Sequence, residues 1–379
     1  MRLFYLVNIL YDKSMSQLVI KENEPLARHT SFRIGGPARY YIKITSANQL
    51  VEAMDFVAEK KLPWLALGGG SNMLVSDQGY EGVVLHICPK GMKLIQIDEN
   101  RFELKVGAGE VWDDVVNFAV LHNLWGIENL SYIPGLAGGF PVQNVGAYGQ
   151  EASQVIKEVY VYDIKTKQSR VLNKDDCQFA YRQSIFNTTQ KEKYIITGLT
   201  LDLVTTPQPN LAYKDLAEYF TNKTPTLLEI RQAVIAIRDK KLPHPKDIGS
   251  AGSFFKNLEL SLDQYKNMAE MVKGKLGQEK YEDLEKLVRH TATGIKVPTA
   301  FVIDKLLGLK GLQIGGAKIY EQQALVIINY SGQAQASDVL SIFKKVRTQA
   351  KQLLGIEILP EPNLIGFSQN ELDYYFSFE

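Results

Sequence analysis

The sequence predicts an α+β protein built from more than one domain. Its 379 residues exceed the usual length of a single domain. From about residue 29 to 205, short segments with alternating apolar residues are separated by glycine-rich turns, a pattern typical of strands. A proline-rich break, TPQPN at 206–210, is followed by a helix, strand and helix in that order. This order indicates a separate α/β domain after the break.

The composition is that of a soluble globular enzyme, with 45% hydrophobic and 22% charged residues. A formal net charge of +1 gives no reason to expect attraction to nucleic acid or to a membrane surface. Two cysteines, Cys88 and Cys177, cannot form a disulfide framework, so we expect buried free thiols and a reducing cytoplasm. The five histidines have no metal-ligand spacing, so we expect no metal site.

The N-terminus has a short apolar run after Arg2 that Asn8 interrupts. It lacks a small-residue cleavage site and is too short to span a bilayer. Met15 offers an alternative start, which would make residues 1–14 an extension. In the domain division we assign residues 1–18 to this N-terminal extension.

Elements of the first part are predicted by their periodicity. Strands are expected at RYYIKI, LPWLAL, GVVLHI, KLIQID, RFELKVGAG, EVYVYDI and YIITGLTLDLV. Helices are expected at ANQLVEAMDFVAEKK and EVWDDVVNFAVLHNL, whose apolar residues recur at helical spacing.

In the second part, helices are expected at TLLEIRQAVIAIRDKK, FVIDKLLGLKG and SDVLSIFKKVRTQAKQLLG, and a strand at ALVIINY. Ser337 is the expected N-cap of the last of these helices. Residues 266–290, rich in Lys and Glu, are most simply a solvated helical insertion.

Two glycine-rich runs could hold a cofactor. The first, Gly68, Gly69, Gly70, Ser71 and Asn72, follows an apolar strand; it fits either a tight turn or a phosphate-binding loop, and it matches neither common phosphate motif. The second, IPGLAGGFPVQNVGAYGQE at 133–151, adds polar amides that could pair with a heterocycle. Two such runs in one domain favour a dinucleotide cofactor bound without a Rossmann fold.

Several segments together resemble one enzyme family. They are HTSFRIGGPARYY (29–41), LGGGSNMLVSD (67–77), the 133–151 run, CQFAYRQSIF (177–186), KLPHPKDIGSAGSFFKN (241–257), QIGGAKIYEQQALVIIN (313–329) and LPEPNLIG (359–366). In order and spacing they are similar to the UDP-N-acetylenolpyruvoylglucosamine reductases of the first type. The resemblance covers nearly the whole chain from His29 to Gly366.

The resemblance implies a two-subdomain FAD-binding unit of the vanillyl-alcohol-oxidase type at 19–207. It also implies an α/β substrate-binding domain at 208–366, which leaves a tail at 367–379. The implied activity is that of a UDP-N-acetylmuramate dehydrogenase, with NADPH as co-substrate, in peptidoglycan synthesis. The residues implied to bind FAD are Gly68, Gly69, Gly70, Ser71, Asn72, Gly135, Gln143, Asn144, Gly146 and Ala147.

The implied chemistry is reduction of the carbon–carbon double bond of an enol ether. Flavin supplies the hydride, and the protein must supply a proton and stabilise an enolate. Ser253 matches the family's proton-donating serine; alone, it would be interpreted as a loop hydroxyl bonded to local backbone. Arg182 matches the arginine that stabilises the enolate, although a lone arginine would more often form a surface ion pair. Glu361 matches the catalytic glutamate, but Leu359 and Asn363 depart from the usual L-E-P-E-V-R pattern.

The resemblance also implies a set of substrate contacts. Tyr213, whose presence indicates the first type of the family, and Lys241, Asn257 and Gln323 match positions near the diphosphate or nucleotide. Lys246 and Lys256 could serve in place of Lys241, and the sequence does not rank them.

Two other functions stay open at this point. A flavin-dependent alcohol oxidase would share the cofactor domain, but GGGSN lacks the His or Cys that often tethers flavin in such oxidases. A non-catalytic nucleotide-sugar sensor would not need Ser253, Arg182 and Glu361 together. We expect a cytoplasmic monomer that binds a UDP-sugar and NADPH, with no nucleic acid or membrane partner.

Overall fold

The computed structural model describes residues 17–221, 224–244, 246–291 and 294–378. The predicted extension at 1–18 therefore lies almost entirely outside the described residues. Within these ranges no helix combines the length and apolar character needed to cross a bilayer.

The strands are short. They are β1 Ile20–Pro25, β2 Pro37–Ile44, β3 Trp64–Leu67, β4 Met73–Val75, β5 Tyr80–Ile87, β6 Met92–Gln96, β7 Arg101–Gly107, β8 Gly146–Ala147, β9 Gln150–Glu151, β10 Ile156–Asp163, β11 Gln168–Asn173, β12 Tyr194–Val204, β13 Gly249–Ser253, β14 Leu258–Leu260, β15 Arg289–Thr291, β16 Gly294–Val297, β17 Gln313–Ile314, β18 Ala317–Ile319, β19 Val326–Asn329 and β20 Asn363–Ile365.

The helices range in length from three to 19 residues. They are α1 Ala47–Lys60, α2 Trp112–Leu121, α3 Lys214–Tyr219, α4 Leu227–Lys241, α5 Leu262–Leu276, α6 Gln278–Glu285, α7 Thr299–Phe301, which continues as a π-helical turn over Val302–Leu306, α8 Ala336–Leu354 and α9 Gln369–Phe376. Each helix and strand that was predicted from periodicity is present. Strands β1, β8, β9, β11, β13–β18 and β20 were not predicted.

The described chain divides into two compact units. The first contains the described part of 1–24 together with 38–69 and 81–239; the second contains 25–37, 70–80 and 240–378. The predicted boundary after residue 207 lies inside the first unit, because α3 and α4 pack there around Trp125. The second unit includes two short segments from the N-terminal half of the chain. A division of the sequence into contiguous domains does not predict this. The contiguous domain bounds stay a prediction.

Two larger sheets lie in the first unit, in addition to the short pair β8-β9. In the four-stranded sheet the order is β1-β2-β5-β3, and β3 runs parallel to β5 with Leu67 opposite His86. The five-stranded sheet has the order β11-β10-β12-β7-β6 and is antiparallel throughout. Helix α2 packs on the five-stranded sheet through Trp112, which has no exposed surface. The glycine-rich turns extend from these packed elements.

The second unit is built around α8. A four-stranded sheet, β13-β19-β18-β17, and the parallel pair β20-β4 belong to this unit. Phe254 and Phe255, directly after β13, are fully buried against Phe343 of α8. The Ser253 segment is therefore anchored to the main helix of its unit.

Two local predictions were wrong. The N-cap of α8 is Gln335, not Ser337, because Gln335 and Asp338 form a capping box. The Asp77 carboxylate also accepts hydrogen bonds from the Ala336 and Ser337 amides at 2.7 and 3.1 Å, so a tertiary contact occupies the first turn.

Residues 266–290 are not a solvated insertion. They form most of α5 and α6, and one face of this helix pair is buried in the core of the second unit through Met268, Val272 and Leu284. The Lys- and Glu-rich composition describes only the outer face.

Candidate active site

The two glycine-rich runs meet inside the first unit. A Cβ atom added to Gly69 would lie 2.7 Å from the Gly135 Cα and 2.9 Å from the Leu136 nitrogen. Backbone atoms cannot move aside as a flexible side chain can, so Gly69 needs the missing side chain of glycine. Gly135 has a φ of +128°, a conformation that a side chain would oppose. The sequence predicted both runs, and the fold places them together.

Gly68 and Gly139 are not required by contacts within the protein. A Cβ at either position would meet no protein atom within 4 Å, and neither residue has a positive φ. Neither packing nor backbone conformation within the protein therefore explains these glycines. Open space beside exposed backbone suits a bound group that approaches the chain closely, as the pyrophosphate of FAD does. The residues of the two runs fit this cofactor.

In the second unit, Gly70 fixes the turn that follows. Its φ is +60°, and an added Cβ would lie 2.1 Å from the His29 carbonyl oxygen. The Ser31 amide donates to the Gly70 carbonyl at 3.0 Å, and the Ser31 hydroxyl donates to the Ser250 carbonyl on β13 at 2.7 Å. Ser31 thus joins the turn to the strand that ends at Ser253. Sequence reasoning gave Ser31 no role, although it lies in the HTSF segment.

Asn144 braces the second glycine-rich run. Its side chain is only 1% exposed, and its amide nitrogen donates to Glu151 at 2.8 Å and to the Ala180 carbonyl at 3.1 Å. Its side-chain oxygen accepts from the Ser153 amide at 2.9 Å. Both amide protons are thus used by the protein, so the predicted pairing of this side chain with a heterocycle has no free donor. Cofactor contacts by Gln143, Gly146 and Ala147 stay a prediction.

Arg182 lies beside the same run. It adopts a left-handed conformation with φ 55°, and its Nη2 donates to the Gly146 carbonyl at 3.1 Å. The Asn187 side chain donates to the Arg182 carbonyl at 3.1 Å, which helps to hold this unusual backbone. The guanidinium, predicted to be catalytic, is thereby fixed at the edge of the predicted cofactor loop.

Tyr213 lies just before α3 and is 43% exposed. Its ring packs edge-on against Tyr148, with the ring centroids 5.1 Å apart. Burial raises the pKa of Tyr148 to about 12 although the Arg238 guanidinium, to which it is hydrogen-bonded, opposes the shift. The predicted substrate tyrosine therefore packs on a buried phenol–guanidinium pair.

Arg238 was missed by the sequence analysis. Its Nε donates to the Tyr132 carbonyl at 3.1 Å, and desolvation lowers its pKa from the ordinary value. Arg231 and Arg238 are seven positions apart in α4, so both arginines lie on the same face of the helix as buried Val234. The signal in the sequence that could have identified them is the presence of two arginines on the apolar face of a predicted helix.

Arg231 forms an ion pair within the first unit. Its two terminal nitrogens donate to the Asp113 carboxylate at 2.7 and 2.8 Å, and the Tyr132 amide donates at 2.6 Å. Burial by itself would raise the pKa of Asp113, but these donors outweigh it and hold the pKa below its ordinary value. This pair attaches α4 to the start of α2.

The Asp113 pair predicts a specific pH dependence of stability. A carboxyl whose pKa is depressed by folding stabilises the protein above its ordinary pKa of 3.8, and this contribution is lost as the pH falls through the folded value. We therefore expect Asp113→Asn to lower the free energy of unfolding by about 3 kcal/mol at pH 7. The difference from the wild-type protein should shrink below about pH 4. Denaturant unfolding between pH 3 and 7 measures it.

Asp202→Asn is the matched control, since Arg101 and Asp202 form a bidentate pair that is more exposed. This substitution should lower the free energy of unfolding by less than about 1 kcal/mol. If the difference in free energy of unfolding between Asp113→Asn and the wild-type protein stays constant with pH, the lowered pKa of Asp113 in this ion pair is contradicted.

Ser253 ends β13 and is not a loop residue, which corrects the interpretation of this stretch as a loop. It pairs with Val326 of β19, and the register shifts between Ser250 and Ser253. Gly252 in this bulge has a φ of +72°, which a side chain would oppose. The Phe254 amide then donates to the Leu325 carbonyl at 2.6 Å. The serine is thus held between a bulge and an anchored phenylalanine.

Glu361 is held beside the Ser253 strand. Its amide donates to the Phe254 carbonyl at 2.8 Å, and the Lys256 amide donates to the Leu359 carbonyl at 3.0 Å. These bonds pair the segment after Ser253 with the LPEPN segment. Two residues after Glu361, the Asn363 amide donates to the Asn72 carbonyl at 3.1 Å. Main-chain hydrogen bonds of the second unit therefore bring the Ser253 and Glu361 segments together, and the Glu361 segment is attached to Asn72.

The other predicted substrate residues are distributed over the second unit. The Gln323 carbonyl accepts from the Val326 amide at 3.0 Å, which places Gln323 near the end of β13. The Asn257 side-chain oxygen accepts from the Thr299 amide at 3.3 Å, and Asn257 lines a pocket of about 370 Å³ together with Lys256. Lys256 and Lys246 are exposed. The choice between these two lysines and Lys241 stays open.

Comparison with known proteins identifies the class of protein. The family model described as FAD binding domain matches residues 38–167, the part of the chain that carries both glycine-rich runs. The class is therefore that of FAD-binding oxidoreductases, and the predicted α+β fold class is confirmed. The model of the UDP-N-acetylenolpyruvoylglucosamine reductase C-terminal domain matches 244–365, which includes Ser253 and Glu361.

The relatives agree over nearly the whole chain. A UDP-N-acetylenolpyruvoylglucosamine reductase from Neisseria meningitidis is 35% identical over 92% of this chain and 98% of its own length. One from Porphyromonas gingivalis is 36% identical over 91% and 99%. The chain belongs to the UDP-N-acetylenolpyruvoylglucosamine reductase family. The crystal structure of the Thermus caldophilus reductase, 23% identical, has the same fold with a TM-score of 0.61, covering 92% of this chain and 99% of that one.

Proposed function

We propose that this chain reduces the enolpyruvyl ether of UDP-N-acetylenolpyruvoylglucosamine to the lactyl ether of UDP-N-acetylmuramate, with NADPH as the reductant. The observation that carries the proposal is the attachment of the Glu361 segment to the Ser253 segment and to Asn72 by main-chain hydrogen bonds. This arrangement supports the proposal, because it holds the Ser253 and Glu361 segments together and next to Asn72, which is part of the predicted cofactor loop. Family membership supports the choice of substrate.

FAD supplies the hydride when it is bound. Gly68, Gly69 and Gly135 would hold it, since the first leaves open space and the other two bring the runs together. Arg182, fixed on the Gly146 carbonyl, offers a planar fork for the carboxylate of the substrate.

Ser253 would give its hydroxyl proton to the carbon next to that carboxylate. A serine is a weak acid, but a carbon with enolate character is a strong base, so no activating residue is required. What the transfer requires is a fixed position, and the bulge at Gly252 and the buried Phe254 supply it. Glu361 would orient the hydroxyl or act as an acid beside it.

The remaining proposals concern partners. Tyr213, Lys241, Asn257 and Gln323 would contact the diphosphate and nucleotide of the substrate. We propose a cytoplasmic monomer that acts on small molecules and has no nucleic acid or membrane partner.

The test is the colour of the purified protein. Protein isolated without added cofactor should be yellow, and heat-released flavin should be FAD. Under anaerobic conditions NADPH should bleach it, and UDP-N-acetylenolpyruvoylglucosamine should restore the absorbance in seconds or less. Reoxidation by air that is fast, with no response to the UDP-sugar, would overturn the proposal in favour of an oxidase.

A further inference from the structure

The C-terminal tail is an ordered part of the second unit. Residues 369–376 form α9, which begins with a capping box between Ser368 and Glu371. The helix lies beyond the matched C-terminal domain, which ends at 365. It packs on α8, whose side chains reach both segments of the candidate site.

One contact chain leads from the tail to Ser253. The ring of Phe376 lies 5.0 Å from that of Phe343 in α8, between centroids. Phe343 in turn lies 6.1 Å from Phe254 and 6.4 Å from Phe255. Both of these rings are fully buried and directly follow Ser253. A change at Phe376 can therefore shift the proposed proton donor through these packed rings.

A second contact chain leads to Glu361. Arg347 of α8 is only 5% exposed, and it donates to the carbonyls of Phe376 and Ser377 and to the Glu357 carboxylate. Its guanidinium also lies over the ring of Phe378, 3.8 Å from the centroid. Glu357 is four residues before Glu361 in the segment that pairs with Lys256. One buried cation thus joins the tail to the segment that carries the proposed catalytic glutamate.

We propose that the tail positions the proton-transfer groups. Phe343, Arg347 and Phe376, here called the tail clamp, are positioning residues that hold the Ser253 and Glu361 segments in register. This inference rests on the proposed function of Ser253 and Glu361. Proton transfer depends on placement at the level of about 1 Å, and an error of that size can cost about 100-fold in rate. Packing far from the substrate can therefore control the rate of protonation.

The experiment separates the two halves of the catalytic cycle in the full-length holoenzyme. For Phe376→Ala we expect flavin reduction by NADPH within about twofold of wild type, because the described contacts of the tail clamp lead to the Ser253 and Glu361 segments. Reoxidation by saturating UDP-N-acetylenolpyruvoylglucosamine should slow by about tenfold. Substrate affinity, measured by flavin absorbance changes in the oxidised enzyme, should change less than about threefold, and Phe376→Leu should recover most of the rate.

Two further variants keep the test decisive. Tyr374→Ala is the matched control: Tyr374 is on the same helix, is 61% exposed, and stacks on Lys344 outside the tail clamp, so both half-reactions should be unchanged. Truncation after Gly366 should resemble Phe376→Ala; if the truncated chain does not fold, the point variants decide.

The outcomes distinguish the tail clamp from the proposed function. Normal reoxidation in Phe376→Ala, with slow reoxidation in Ser253→Ala, would overturn the tail clamp alone. Normal reoxidation in Ser253→Ala would overturn the role of Ser253, whatever the tail variants do. Equal slowing of both half-reactions with loss of flavin would show a structural role only, which also overturns the tail clamp.

Discussion

Ser253→Ala should retain FAD and its reduction by NADPH, while reoxidation by the enolpyruvyl substrate should slow by about 100- to 10,000-fold, the usual contribution of a positioned general acid. The substitution removes one oxygen atom, and no hydrogen bond that holds β13 depends on that hydroxyl among the described residues. The fold should therefore persist. Anaerobic stopped-flow absorbance of the flavin measures both half-reactions separately.

Ser250→Ala is the matched control for this prediction. Ser250 lies on the same strand, and its contacts with Ser31 use its backbone N–H and carbonyl. Both half-reactions should stay within about twofold of wild type. Reoxidation of Ser253→Ala at the wild-type rate would show that another group, or solvent, provides the proton.

Gly70→Ala should give a protein that is purified with little or no FAD and unfolds at a lower temperature. The added Cβ would overlap the His29 carbonyl oxygen at 2.1 Å in a left-handed conformation. The conformation alone costs about 1 to 2 kcal/mol, and the backbone overlap adds to it. Relief of the overlap must move either the turn at Gly70 or the His29–Ser31 segment that is bonded to it. The ratio of flavin to protein absorbance and the thermal unfolding midpoint measure the effect.

Gly274→Ala controls for the general effect of the added methyl group. Gly274 lies within α5, and a Cβ there meets no atom within 4 Å. This variant should keep its full flavin content and gain stability of up to about 1 kcal/mol. A fully loaded and equally stable Gly70→Ala protein would mean that the turn can move without harm to the site.

Local periodicity predicted most of the fold. The alternation in YIITGLTLDLV marks β12 at its observed bounds, and the apolar spacing of EVWDDVVNFAVLHNL places α2. Such patterns are visible because these elements bury one face in their own unit. Strand β11 was missed since QSRVLN is largely exposed and has no clear alternation.

The candidate site was predictable only in part. The glycine-rich runs and the Ser253 segment carry recognisable motifs, but the first amides of α8 donate to Asp77, more than 250 positions earlier in the sequence. Asn144 suggested a cofactor contact, yet its donors are used by Glu151 and Ala180. Contacts of this kind depend on three-dimensional proximity, which a single sequence does not reveal.

The bond between Asn363 and Asn72 joins residues that are 291 positions apart. At the usual rate of about 5 to 20 residues per second, a ribosome needs roughly 15 to 60 s to make the intervening chain. During that time β4 has no partner strand, while the elements of 81–239 can already pack. The Asn72 turn and the Glu361 segment can therefore be joined only late in biosynthesis. The nascent chain must keep an unpaired strand edge from aggregating until then.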